Sequence, residues 1–331
     1  MEILPGVHQI PVNYKGRPLK LYLIRGPRIA MLMDMGEDAT VHTDVLPYFE
    51  SIGFSPKELT HVMGTHSDMD HVGGIHAMKA AAPQARFVCG TADRTQIETP
   101  EGLADIRARA HYYWHGLGPD DEAREKFIQR AGGHGKRVVM DETYQGGETL
   151  AFDADNRLHI LHLPGHSHGH LGVFLPWLNA AFIGDAVHGT ANRFLDGRAA
   201  FAPTYMYVAE YLGTIGTLRA MKLDRLYSCH WPDCTDNAQA ESFLQESRDY
   251  AWRAQQVIGD FVKAAGDKGV TLRDVCMGAK ESLGNWPAEK DSETRSMACG
   301  HLQRLVGLGL VREAVERPVR YVWEPEWKGL H

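Results

Sequence analysis

Short apolar runs separated by glycine, proline and polar residues predict strands along the first 90 residues. These runs lie at 7–12, 18–26, 28–36, 59–66 and 86–90. Between them, residues 40–53 and 71–82 carry apolar side chains at helical spacing, and Pro83 follows the second of these segments. The alternation of strands and helices predicts an α/β layered domain.

Residues 91–145 break this alternation. The segment is polar, has mostly helical propensity and contains the aromatic run HYYWH, so we interpret it as an insertion over one edge of the sheet. Strand signals return between 147 and 185, a helix is predicted near 207–221, and a further strand ends at His230.

The sequence changes in character near its last hundred residues, where long helical segments replace the short strands. Residues 238–265 carry one apolar stripe at helical spacing, and a second helix is predicted at 295–307. Two strand-like segments, GLVREAV and VRYVWEP, follow. We therefore predict an α/β domain over 1–235 and a smaller, mostly helical domain over 236–331.

The composition narrows the class of protein further. The chain has 331 residues, of which 44% are hydrophobic, so it contains enough apolar side chains for an ordered core. Its net charge of −7 works against a broad nucleic-acid or anionic-membrane surface. No apolar run approaches the roughly 20 residues that span a bilayer, and the start lacks the pattern of a signal peptide, so we expect a cytoplasmic protein without membrane partners. Five scattered cysteines are typical of reduced thiols.

Four potential metal ligands lie within a short stretch at the end of the predicted strand 59–66. His66 and Asp68 are two positions apart, so an extended segment directs both side chains to one side. Asp70 and His71 follow where the chain turns into the next helix, and from there they can reach the same space. Adjacent titratable side chains at the start of a helix do not stabilise the packing of the fold, so the cluster indicates a metal site.

Three further apolar strands each carry a histidine or an aspartate at their carboxyl end. They deliver His166 within the turn PGHSHGH, Asp185 after AAFIG, and His230 after LYSC. Because sites in α/β sheets gather at the carboxyl ends of strands, we expect these side chains to meet the 66–71 cluster. Taken singly, each has an ordinary structural explanation, such as a solvated loop histidine or a helix cap; together they favour one site.

In the order T-H-x-[HDE]-x-D-H-x-G-G, P-G-H-[ST]-x-G-H, G-D and S-C-H, these motifs resemble the metallo-β-lactamase superfamily, in its glyoxalase II or thioesterase-like branch. The resemblance covers residues 1–235 and implies a four-layer αββα sandwich with two divalent metal ions at one edge. It implies seven ligands, which are His66, Asp68 and His166 for the first ion, Asp70, His71 and His230 for the second, and Asp185 as the bridge. It further implies that Asp34 orients a ligand histidine and that His170 supports the ligands from behind. Residues 236–331 resemble the winged-helix appendage of some members.

One position departs from the usual pattern of the family, since Asp68 stands where most hydrolytic members have histidine. Carboxylates are harder ligands than imidazole, so a third carboxylate favours iron or manganese more than a histidine-rich pocket does. A glutamate at this position recurs in the di-iron, flavin-partnered branch of the superfamily. Zinc is the first expectation for the two ions, with iron and manganese as alternatives.

One member of the ligand set and several residues outside it are assigned to proton transfer and to substrate contacts. Asp70 is predicted to take part in proton transfer, and His188 to contact the substrate in the pocket. Further candidate substrate contacts are Tyr112, Tyr113, Trp114 and Tyr207. For the aromatic residues of the insertion, packing onto the sheet is the alternative to a lid over the metals.

The resulting prediction is a hydrolase in which a hydroxide between two metal ions attacks a small organic ester, thioester or lactone. An iron-dependent redox or oxygenase member of the same superfamily is an alternative, motivated by Asp68. A DNA-binding regulator is another, motivated by the winged-helix-like segment. That segment has 13 basic and 15 acidic residues, too little positive charge for duplex binding, so we expect it to wall the active site or to form a homodimer contact.

Overall fold

The first sheet contains seven strands among the described residues, and the strand order in it follows the chain. The computed structural model describes residues 1–99, 101–102, 137–314 and 318–324. The strands are β1 (Glu2–Leu4), β2 (Val7–Tyr14), β3 (Arg17–Arg25), β4 (Ala30–Met33), β5 (His61–Gly64), β6 (Arg86–Gly90) and β7 (Glu142–Tyr144). Neighbours from β1 to β4 are antiparallel, whereas β4 to β7 pair in parallel. The carboxyl ends of β4, β5 and β6 therefore meet at one edge of the sheet.

The second sheet has the order β14-β11-β10-β9-β8, and a small separate hairpin is made by β12 and β13. These strands are β8 (Thr149–Ala151), β9 (Arg157–His162), β10 (Leu171–Leu175), β11 (Ala180–Phe182), β12 (Asn192–Arg193), β13 (Ala199–Phe201) and β14 (Arg225–Tyr227). β11 and β14 pair in parallel, so the loops after both strands leave the sheet on the same side. Asp185 and His230 follow these two strands.

The two sheets pack face to face through apolar side chains, and helices cover their outer faces. At the interface the buried Tyr22 ring of β3 meets Phe182 of β11 edge-on at 5.0 Å, and its hydroxyl donates to the Ser228 carbonyl at 2.9 Å. Helices α1 (Asp38–Thr40), α2 (Leu46–Ser51), α3 (Met69–Val72), α4 (Ile75–Ala81) and α5 (Arg94–Glu98) are associated with the first sheet, and α6 (Val208–Ala220) with the second. The predicted four-layer αββα order is confirmed.

Two local predictions need correction. The helix predicted at 71–82 is divided into α3 and α4 at Gly73 and Gly74, because the Gly74 N–H donates to the Gly36 carbonyl at 2.7 Å and not to a carbonyl of the preceding helical turn. The segment 91–145 is also more than an insertion, since it contains α5 and ends in β7, which extends the first sheet. The aromatic residues Tyr112, Tyr113 and Trp114 lie outside the described residues.

Helices dominate the C-terminal region, as predicted. They are α7 (Asn237–Ala264), α8 (Leu272–Gly278), α9 (Lys280–Leu283) and α10 (Arg295–Gly307), followed by the antiparallel strands β15 (Val311–Ala314) and β16 (Arg320–Trp323). The apolar faces of α7 and α10 share one buried cluster with α6, so this region packs on the outer side of the second sheet. The domain boundary near residue 235 and the winged-helix assignment stay predictions. Within the described ranges, no helix combines the length and apolar character that crossing a bilayer requires.

Candidate metal centre

The loops after β4 and β5 build the first side of the site. Asp34 follows β4 in a left-handed conformation (φ 61°), which turns the chain sharply at the sheet edge. Its fully buried carboxylate accepts hydrogen bonds from the backbone N–H of Thr65 at 2.8 Å and from the Thr65 hydroxyl at 2.9 Å. Asp34 thus ties the ends of two parallel strands together, and His66 follows Thr65 directly.

His66, Asp68 and His166 form the first group of potential ligands. Their ligand atoms all lie within 4.8 Å of one another. The Nε2 atoms of His166 and His66 are 3.2 Å and 3.7 Å from Asp68 Oδ2. Both imidazoles are buried, whereas Asp68 keeps 19% of its side chain exposed. The fold therefore brings the PGH turn onto the loop after β5, as the motifs predicted.

Asp70, His71 and His230 form the second group, again with ligand atoms within 4.8 Å of one another. His230 Nε2 lies 3.4 Å from Asp70 Oδ2 and 3.3 Å from His71 Nε2. Asp185 adjoins this group, with Oδ2 3.6 Å from His71 Nε2 and 3.4 Å from His230 Nε2. It also belongs to a group with His66, so it stands between the two sets. All seven predicted ligands converge on one region.

The four histidines of the two groups are oriented in the same way. Each uses Nδ1 to donate a hydrogen bond to the protein, which leaves Nε2 for the centre. The acceptors are Thr65 Oγ1 for His66 (2.9 Å), Asp34 Oδ2 for His71 (2.8 Å), the Thr204 carbonyl for His166 (3.2 Å) and the Pro18 carbonyl for His230 (2.6 Å). These contacts come from three different loops and from strand β3, so ring orientation at the centre depends on how several elements pack.

Some polar atoms of the centre have no protein partner. Among the described residues, His66 Nε2 and Asp185 Oδ1 are buried and accept or donate no hydrogen bond. A buried polar atom without a partner costs about 1–3 kcal/mol, so such atoms are rare in a folded protein. Imidazole nitrogens and carboxylate oxygens are the donors that zinc and similar divalent cations take. The residues therefore fit a pair of metal ions, while the donor set by itself does not fix which metal.

Electrostatics favour cations between the two groups. Burial by itself would lower the pKa of His71, but the carboxylates of Asp185, Asp34 and Asp70 outweigh it and raise that pKa well above its usual range. Burial would raise the pKa of Asp185, yet His230 and His71 hold it well below its ordinary value. The Asp70 pKa is lowered for the same reason. The carboxylates are therefore held ionised, the form in which they bind metal.

A cavity of about 170 Å³ opens over the ligands and is lined by five of the seven, namely Asp68, Asp70, His166, Asp185 and His230. Arg17 of β3, Phe201 of β13 and Tyr207 contribute to its walls. The C-terminal region contributes Glu293, just before α10, and Arg295, the first residue of α10, so it forms part of the cavity wall. Sequence reasoning missed Arg17, because it lies in a hairpin remote from every ligand motif.

The remaining predicted site residues occupy different positions. His170 is buried, stacks on His66 with ring centroids 4.9 Å apart, and accepts a hydrogen bond from the Asp185 backbone N–H at 3.1 Å, so it contacts ligands of both groups. His188 is fully buried beside the His166 ring, 4.8 Å between centroids, and is not among the cavity-lining residues. Its substrate contact stays a prediction. Tyr207 lines the cavity and stacks on the half-exposed ring of His168.

A buried aspartate that sequence reasoning overlooked holds the PGHSHGH turn. Asp93 is fully buried, and its carboxylate accepts hydrogen bonds from the Ser167 hydroxyl and from the Gly169 backbone N–H, the latter at 2.8 Å. It lies just after β6, in the segment interpreted as an insertion. No motif marked it, and its position three residues beyond a predicted strand end was the one available signal.

Helix α10 supports the other side of that turn. The backbone N–H groups of Met206 and Tyr207 both donate to the Gly165 carbonyl at 2.9 Å, directly before His166. The helix backbone lies so close to this loop that a Cβ atom at Gly300 would be 1.9 Å from the Met206 carbonyl oxygen. Next to it, the buried His301 accepts a hydrogen bond from the Tyr205 hydroxyl at 3.0 Å. The C-terminal region therefore fixes the turn that carries His166.

Comparisons with known proteins agree with this geometry. A family model described as the metallo-beta-lactamase superfamily matches residues 20–230. A hydroxyacylglutathione hydrolase from Synechococcus sp. (strain JA-3-3Ab) is 26% identical over 240 residues, which cover 72% of this chain and 73% of the relative.

Solved structures resemble the chain over nearly its whole length. A metallo-beta-lactamase family protein from Thermus thermophilus superposes with a TM-score of 0.72 at 18% identity, covering 98% of this chain and 100% of that one. A beta-lactamase domain protein from Burkholderia ambifaria gives 0.71 at 16% identity, covering 98% and 94%. These two likenesses concern the fold, and the family match rests on the sequence. The chain belongs to the metallo-beta-lactamase superfamily.

Proposed function

We propose that the protein is a metal-dependent hydrolase that acts on a small organic ester, thioester or lactone. The observation that carries the proposal is the convergence of seven potential metal-ligand side chains on one site, where five of them line a cavity. The name of the Synechococcus relative, hydroxyacylglutathione hydrolase, supports hydrolysis of an acyl compound. Zinc is the expected metal, with iron and manganese as alternatives.

The side chains divide the work of such a site between them. When bound, two divalent cations would activate water and polarise a substrate carbonyl. The histidine Nε2 atoms are held in place by Nδ1 hydrogen bonds, so the ligands need little reorganisation on loading. Asp70 lines the cavity with its carboxylate ionised, and we assign to it the transfer of a proton at Oδ2. His170 steadies Asp185 through its backbone N–H.

Elemental analysis of protein expressed in unsupplemented medium, followed by a panel of esters, thioesters and lactones, tests the proposal. We expect close to two equivalents of metal and turnover of at least one class. His230→Ala should lose both metal and turnover, whereas His42→Ala, which changes an exposed histidine of the same domain, should retain both. Less than a tenth of an equivalent of any transition metal would contradict the proposal.

An iron-dependent redox enzyme is the second candidate, because Asp68 places a third carboxylate next to His66 and His166. Hard ligands favour iron over zinc. Iron as the main metal, visible absorption and oxygen consumption without ester turnover would favour this candidate over the hydrolase.

The contacts of α10 weigh against a DNA-binding role for the C-terminal region. Of the two arginines on this helix, Arg295 lines the cavity and Arg304 donates to Gln255 on α7. Duplex binding requires exposed positive charge in quantity. We therefore propose a small-molecule substrate rather than a nucleic-acid partner.

A further inference from the structure

We propose that Arg17 forms an anion subsite in the cavity wall and binds a carboxylate that the substrate carries in addition to the bond to be hydrolysed. The inference rests on the proposed function, because it names the substrate class of the same site. Arg17 is the first residue of β3, and it lines the cavity together with Asp70, Asp185 and His230 of the second ligand group. An anion bound there would lie beside the centre, in the same cavity.

The guanidinium of Arg17 is held in place by two aromatic rings. Its central carbon lies 5.1 Å from the Tyr14 ring centroid and 4.9 Å from that of Phe201, in the range of cation–π contacts. Tyr14 is itself fixed, since its hydroxyl donates to Glu37 at 2.6 Å. The Leu195 backbone N–H donates to the Gly16 carbonyl at 2.9 Å, which ties the β2–β3 and β12–β13 hairpins together. The side chain is therefore positioned before any ligand arrives.

Among the described residues, this positioned cation has one ionic partner. The Arg17 side chain is 17% exposed and pairs with Asp70, whose Oδ2 lies 3.6 Å from Nη2, too far for a hydrogen bond. Asp70 is one of the seven metal ligands, so its charge would be shared with a cation on its other side. A guanidinium has five donors in a fork that matches a carboxylate, and the Arg17 side chain presents this fork to the cavity. An anionic group of the substrate supplies the missing acceptor.

The surrounding charges favour a single carboxylate over a more highly charged group. The other arginine of the cavity, Arg295, already donates to the Glu293 carboxylate at 3.2 Å. One guanidinium with no carboxylate in hydrogen-bond contact therefore balances one negative charge, which suits a small acid-bearing ester, thioester or lactone.

The kinetic test compares pairs of substrates that differ only in a distal carboxylate and its methyl ester or amide. For the metal-loaded wild type we expect the acid to have the higher kcat/KM. In Arg17→Met the ratio of the two values should fall by about 10- to 100-fold, the size expected for a charge-assisted hydrogen-bond pair. Arg17→Lys keeps the charge and the aromatic contacts, so its ratio should lie between the other two. Arg198→Met, which removes an exposed arginine stacked on Phe194, serves as the matched control and should keep the wild-type ratio.

A ratio that stays constant while both substrates lose activity would overturn the proposal, because it would mean that Arg17 acts only on Asp70. A calorimetric titration tests the anion subsite separately from the proposed hydrolase function. It compares the affinity of the metal-loaded wild type for each dicarboxylate from malonate to adipate with its affinity for the monocarboxylate of equal length. If the wild type prefers a diacid and Arg17→Met loses that preference, the subsite is supported even when no ester is turned over. The absence of ester turnover would contradict only the hydrolase proposal. Equal affinity for diacids and monoacids overturns the subsite even when esters are hydrolysed.

Discussion

Replacing Asp34 with asparagine tests how far a buried carboxylate controls the metal centre. The change is nearly isosteric, and asparagine tolerates the left-handed backbone (φ 61°) at this position, so the fold should persist. Asp34 accepts three short hydrogen bonds, two from Thr65 and one from His71 Nδ1. An amide can accept at one oxygen only, so its NH₂ group must face a donor. Depending on the orientation of the amide, this NH₂ group faces either the Thr65 backbone N–H or the imidazole N–H of His71.

The cost can be estimated from these contacts. The substitution removes one charge-assisted hydrogen bond and places the amide NH₂ group against another N–H donor in a fully buried position. Together these effects should lower the free energy of unfolding by about 2–3 kcal/mol. If the amide NH₂ faces His71 Nδ1, the imidazole proton moves to Nε2, the atom that faces the centre. Metal affinity should then fall by about 10- to 100-fold, as is usual when the partner of a ligand histidine is changed.

Urea unfolding of the metal-free protein measures the first effect, and competition with a chelator measures the second. Asp155→Asn, an exposed aspartate in the loop before β9, is the matched control and should change neither quantity. Wild-type metal affinity in Asp34→Asn would refute the reasoning, because the carboxylate would then have no influence on His71. A loss of stability without a loss of affinity would restrict Asp34 to joining the strand ends.

Three further predictions concern the bridge, the metal and the pH dependence. Asp185→Ala should abolish turnover and reduce metal content while circular dichroism shows a retained fold; full activity would contradict its place between the two groups. Asp68→His should raise affinity for zinc relative to iron in parallel titrations, and an unchanged ratio would show that ligand hardness has little influence here. Burial, with a smaller effect of Arg304, lowers the pKa of His301 from 6.5 to about 3, so the imidazole stays neutral in the folded state. The contribution of His301 to stability is therefore complete above pH 6.5 and is lost as the pH falls toward 3. Between pH 7 and pH 5 the wild type should therefore lose about 2 kcal/mol more than His301→Gln in urea unfolding, and parallel pH profiles would contradict this assignment.

The sequence by itself determined which potential metal ligands the site contains. His66, Asp68, Asp70 and His71 follow one strand so closely that local geometry alone brings them together. The strand-end rule for α/β sheets then placed the more distant ligands at the same edge. The alternation of apolar strands and amphipathic helices likewise predicted an α/β layered domain, whereas the four-layer αββα order came from the resemblance to the superfamily.

Only the tertiary structure decided what surrounds the ligands. The partners of the imidazole Nδ1 atoms include the Pro18 and Thr204 carbonyls, backbone groups that carry no sequence signature. Asp93 and Arg17 also acquire their roles through contacts with segments remote in sequence, which no local pattern encodes. Spacing along the chain reports which side chains can act together within one element, whereas orientation, burial and pairing depend on how separate elements pack against one another.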